Sequence, residues 1–97
     1  MMYAVMALYD SDLKTEVFTL LELAQVKNYT QFTNLHGSSQ QGKKEGTVSW
    51  PGANEILLLV VSEEEKKRLI EVVGEYKKNR ETKPPLLLFD WKLTEVL

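Results

Sequence analysis

Cysteine is absent and histidine occurs once, at His36. Disulfide frameworks, thiolate metal sites and cysteine nucleophiles are thereby excluded, and one imidazole is left for base or metal chemistry. Positive charge is not in excess: 12 Lys and Arg stand against 14 Asp and Glu, a formal net charge of -2. That balance is the opposite of the basic footprint that phosphate backbones select, so nucleic acid is not an expected partner. No apolar run reaches the length of a transmembrane helix. The opening MMYAVMALYD is apolar but short, has neither a basic leader nor a small-residue cleavage site, and runs into acidic residues. It reads as a strand, not a signal, and a cytoplasmic protein without a membrane span is the expectation. At 97 residues the chain reads as one domain, 1–97. Apolar burial only just offsets chain entropy at this size, so a partner subunit would add area that matters.

What is present falls into alternating elements. Tyr3 to Tyr9 is apolar on both alternations and ends at Asp10, Ser11 and Asp12, which suits a strand covered on both faces followed by a helix cap. Leu13, Val17, Leu20, Leu21 and Ala24 then share one face of a helix ending near Lys27 and Asn28. Tyr29 to His36 interleaves aromatic and β-branched residues with polar ones, as in a more exposed strand. After the glycine-punctuated segment and the turn pair Pro51 and Gly52, EILLLVVS is a second run apolar on both alternations. Ser62 with Glu65 forms a capping box, and Leu69, Ile70, Val73 and Tyr76 are the stripe of a second helix. Pro84 and Pro85 end it. In the final stretch Phe89, Trp91 and Leu93 alternate with Asp90, Lys92 and Thr94, a strand with one wet face.

Two βαβ units in this length predict an α+β, ferredoxin-like βαββαβ fold: a four-stranded antiparallel sheet with two helices on one face and strands one and three in the middle. The helices cover only one side, yet both central strands are apolar on both sides. Either Tyr3, Val5, Ala7 and Tyr9 or Ala4, Met6 and Leu8 must lie on the second face, beside Ile56, Leu58 and Val60 or Leu57, Leu59 and Val61. Soluble monomers rarely expose such a patch. Association of open faces into a homo-oligomer is therefore expected.

The stretch LHGSSQQGKKEG contains Gly37, Gln40, Gln41, Gly42 and Lys43 in a polar segment after the second strand. In this, and in the element order of the whole chain, the protein resembles the PII-like signalling proteins, in which a Gly-rich polar stretch opens the loop after strand two. The segment from Pro84 into the last strand is similar to the related CutA family. The resemblance implies a compact homotrimer with sheets facing inward, and a loop at about 36–50 that engages regulated partner proteins or lines nucleotide clefts between subunits. A CutA-like protein would instead bind divalent cations. KKNRETKPP has no glycine where PII proteins carry a second phosphate loop.

Individual residues carry both a functional and a plain reading. Gly37, Gly42 and Lys43 have P-loop spacing, but Lys44 stands where that motif needs Ser or Thr for magnesium, and the segment leads into extended chain instead of a helix. As a loop, Gly37, Gly42 and Gly46 supply backbone freedom, and Gln40, Gln41, Lys43 and Lys44 supply polar contacts to a small anionic ligand or partner; the alternative is an idle hairpin. His36 is a candidate metal ligand if a trimer axis gathers three copies, and otherwise a strand-end histidine. Trp50, beside Pro51, is a stacking candidate for a nucleotide base. Lys77, Lys78 and Arg80 follow helix two, where the dipole favours cations in any case, and they could neutralise a bound anion. No nucleophile and base pair is recognisable. A non-enzymatic binding protein is the expectation, with a small ferredoxin-like dimeric enzyme as a rival.

Overall fold

The computed structural model describes residues 1–36 and 53–97. Strand β1 (Met2–Asp10) leads through a 3-10 turn (Ser11–Leu13) into helix α1 (Lys14–Leu23); β2 (Thr30–His36), β3 (Ala53–Ser62), helix α2 (Glu63–Lys78) and β4 (Leu86–Lys92) follow. The strands form one antiparallel sheet in the order β2-β3-β1-β4. This is the ferredoxin-like arrangement, with the two doubly apolar strands at the centre.

Register decides which alternation meets the helices. Val5, Ala7 and Tyr9 of β1 join Leu57, Leu59 and Val61 of β3 and Leu86 of β4 in the core. Val17, Leu20, Leu21 and Ala24 from α1 and Leu69 and Val73 from α2 complete it. The other side of the sheet consists of three cross-strand rows: Trp91, Ala4 and Val60; Phe89, Met6 and Leu58; Leu87, Leu8 and Ile56. Ala4 and Leu8 are buried by their neighbours in the sheet, but Val60 is 53% and Trp91 46% exposed. The open face is thus apolar, as the double alternation requires. The wet residues of β4 lie on the helix side instead, where Lys66 of α2 reaches Asp90 at 3.6 Å.

Three local features set the lengths of these elements. Helix α1 ends four residues before Lys27 because Gln25 takes a left-handed φ of 58°. The Gln25 amide donates to the Glu22 carbonyl and the Val26 amide to that of Leu21, each at 3.0 Å, which is a Schellman stop with Val26 tucked into the core. Helix α2 begins at the expected capping box: the Glu65 amide donates to Ser62 Oγ at 3.2 Å, and the Ser62 amide to Glu65 Oε1 at 2.8 Å. In β2, Phe32 pairs with Ile56 and Leu35 with Asn54, so three steps on β2 match two on β3. The extra residue is a β-bulge, and Asn34 within it has φ 57°. Among the described residues no helix is long and apolar enough to cross a membrane.

Candidate functional site

Residues 37–52 join the C-terminus of β2 to the N-terminus of β3, and this end of the sheet gathers the ends of several other elements. His36 pairs with Ala53, Asn54 with Asp10 and Glu55 with Tyr9. Tyr9 pairs on its other side with Leu86, and the Asp10 amide donates to the Pro85 carbonyl at 3.1 Å. The stretch after α2 is therefore stitched to the strand ends from which residues 37–52 depart.

Helix α2 contributes its cations at the same end. Lys77 Nζ donates to the Leu86 carbonyl at 2.6 Å. Burial, with Lys83 nearby, pushes this amine below the usual lysine value. The Arg80 guanidinium lies over the Tyr76 ring, 4.5 Å from its centroid, a cation–π contact that orients its plane. Lys78 is exposed to solvent. Two of the three expected cations are thus held by specific contacts, and the third faces solvent.

Under the sheet at this end lies a polar cluster that patterning missed. Tyr9 is fully buried, and its hydroxyl donates to Glu55 Oε1 at 2.8 Å. Gln31 Nε2 donates to the same oxygen at 3.2 Å. Glu55 is only 7% exposed, and a carboxylate so placed needs donors to offset lost hydration. Burial and the bond to Glu55 push the Tyr9 phenol well above its ordinary value, so it remains a donor at any physiological pH. The available signal was parity: Glu55 shares its alternation with Leu57, Leu59 and Val61, all core residues.

Of the residues predicted to bind ligand, Lys77, Lys78 and Arg80 come together at this end. Gly37, Gln40, Gln41, Gly42, Lys43, Lys44 and Trp50 lie outside the described residues, in the segment rooted there. His36 is the last residue of β2. Among the described residues no group of three or more His, Asp or Glu side chains could hold a metal ion.

The sheet order, the two helices on one side and the long connection between β2 and β3 define a ferredoxin-like α+β protein. Within that class the fold is similar to that of PII-like proteins of known structure. Solved structures of PII-like proteins superimpose along nearly the whole chain. CPII from Thiomonas intermedia K12 bound to ADP and bicarbonate is 23% identical, with a TM-score of 0.62 over 95% of this chain and 87% of that one. The same protein bound to ADP, AMP and bicarbonate, described as a nitrogen regulatory PII-like protein, gives a TM-score of 0.64 at 20% identity, covering 99% and 96%. A putative PII-like signalling protein from Thermus thermophilus gives 0.63 at 21% identity, covering 93% and 84%. No protein-family model matches the sequence, and no curated protein does.

Proposed function

We propose that this chain is a PII-like regulatory protein, not an enzyme, that works as a homotrimer. In this reading the 36–50 segment and the adjoining subunit clefts take a small anionic ligand, a nucleotide being the leading class, or a regulated partner protein. Carrying the proposal is the convergence of the α2 cations, through Lys77 and Leu86, on the sheet end that roots residues 37–52, in the fold that CPII uses with ADP and bicarbonate bound. Lys78 and Arg80 would neutralise phosphate charge together with Lys43 and Lys44, and Trp50 would stack on a base. The apolar rows of the open face would form the subunit contact. Each large side chain withdrawn from water there contributes roughly 1.5 to 3 kcal/mol.

Native mass spectrometry weighs the oligomer and whatever it carries, and calorimetric titration with ADP then tests the site. A trimer that binds ADP is expected. Exchanging both loop lysines, Lys43→Glu with Lys44→Glu, should lower the ADP affinity at least about tenfold, roughly 1.4 kcal/mol, and leave the trimer intact. A monomer, or unchanged affinity in the double variant, overturns the reading.

A further inference from the structure

On the side of the protein away from the open face, α1 and α2 leave a groove of about 550 Å³ between them, lined by Leu20, Leu23, Val72 and Tyr76. Leu23 is 65% exposed, although its neighbours on α1, Leu20 and Leu21, are core residues. The charges around the groove are unbalanced. Glu71 and Glu75 lie one turn apart on its α2 rim, both exposed. Like charges at that spacing repel, and the single ion pair among the described residues joins Lys66 to Asp90. Arg68, the one cation in the lining, is held by its Nε, which donates to the Ala24 carbonyl at 2.9 Å, and against its single charge stand the two carboxylates of Glu71 and Glu75. The Tyr76 hydroxyl is buried with no hydrogen-bond partner.

We propose that this groove docks an amphipathic helix of a partner protein, with an apolar stripe on Leu20, Leu23, Val72 and Tyr76 and flanking Lys or Arg residues facing Glu71 and Glu75. An apolar trough between helices accepts anchors at i, i+3 or i+4, and i+7. From Arg68 to Asn79 the α2 wall runs for about 17 Å at 1.5 Å per residue, enough for three turns of a docked helix. The unpaired carboxylates select a cationic helix and disfavour anionic membranes and nucleic acids. The groove lies on the opposite layer from the apolar sheet face, so it stays open when copies of the chain associate through that face.

The test uses two synthetic helical peptides of about 18 residues with the same Leu stripe, one flanked by Lys and one by Glu, titrated by fluorescence anisotropy against the full-length protein. The Lys peptide should bind at least about tenfold tighter than the Glu peptide, with an affinity that falls as salt rises. The double variant Glu71→Lys/Glu75→Lys should lose at least about tenfold for the Lys peptide and gain for the Glu peptide. Glu81→Lys/Glu95→Lys, the same charge change in exposed coil, should alter neither. Amide shifts on binding should fall on α1 and α2. No saturation by the Lys peptide up to about 1 mM, equal affinity for both peptides, an unchanged affinity in the rim variant, or shifts confined to β1 and β4 would each overturn the proposal.

Discussion

Replacing Tyr9 by Phe removes one oxygen from the core and keeps the ring, so packing against Leu57 and Leu86 is retained and the hydrogen bond alone is tested. That hydroxyl is the nearer of two donors to Glu55 Oε1, at 2.8 Å against 3.2 Å for Gln31 Nε2. Without it a carboxylate that is 7% exposed keeps, among the described residues, a single neutral donor. Hydrogen bonds to charged groups contribute roughly 1.5 to 3 kcal/mol, and a buried acceptor left short of donors loses most of that. Tyr9→Phe should therefore lose roughly 1.5 to 3 kcal/mol. The readout is the urea midpoint with unchanged m-value, at fixed protein concentration because association adds its own stability. The cycle with Glu55→Gln should show a coupling on the order of 1 to 2 kcal/mol between the two positions. Alkaline pH supplies an independent check. The phenol is raised in the folded protein, so its contribution is fully present below the unfolded pKa near 10 and is lost as pH climbs toward the folded value. The native chain should lose up to about 1.4 kcal/mol per pH unit more than Tyr9→Phe above pH 10. A variant within about 0.5 kcal/mol of the native chain, with the same alkaline slope, would show that water or another group serves Glu55 and would refute the reasoning.

Val60→Lys puts a charge at the rim of the Trp91, Ala4 and Val60 row. It should dissociate the proposed trimer in native mass spectrometry while each subunit keeps its native circular dichroism, because Val60 is half exposed and its loss opens no cavity. Asn34→Val forces a β-branched residue to φ 57° and should destabilise by about 1 to 2 kcal/mol in urea, whereas Asn34→Gly should change stability by only a few tenths. Ser62→Ala removes the acceptor of the Glu65 amide and should lose about 1 kcal/mol of thermal or urea stability.

The fold was legible because its two central strands are also its two doubly apolar runs. Tyr3 to Tyr9 and Ile56 to Val61 announce burial on both sides, and with a helix pattern after each, few topologies remain. The capping box at Ser62 could be read directly, since both its members are local. What escaped was set by backbone angle or by distant pairing. The α1 stop depends on Gln25 adopting a left-handed angle that glycine usually supplies, and nothing in the residue type announces it. The polar cluster needs Tyr9, Gln31 and Glu55 to meet across three strands, which only register reveals. At the sheet end that roots residues 37–52, the basic run at the end of α2 was visible as charge. Its link to Leu86, and hence to the root of the 37–52 segment, depends on how far the Lys77 side chain reaches.

The bulge in β2 makes the length of that strand a matter of phase. A strand keeps its sides by counting in twos, and Asn34 is an odd count inserted between Phe32 and Leu35. Because Phe32 pairs with Ile56 and Leu35 with Asn54, which share one side of β3, the bulge already absorbs the odd residue, and deleting Asn34 would restore regular pairing while leaving Leu35 on the side it now occupies. The odd residue is thus spent on local bend and twist, and not on the side from which the strand is left. Deletion of Asn34 should accordingly be better tolerated than a one-residue insertion in 32–35, which would put a second residue out of phase with β3.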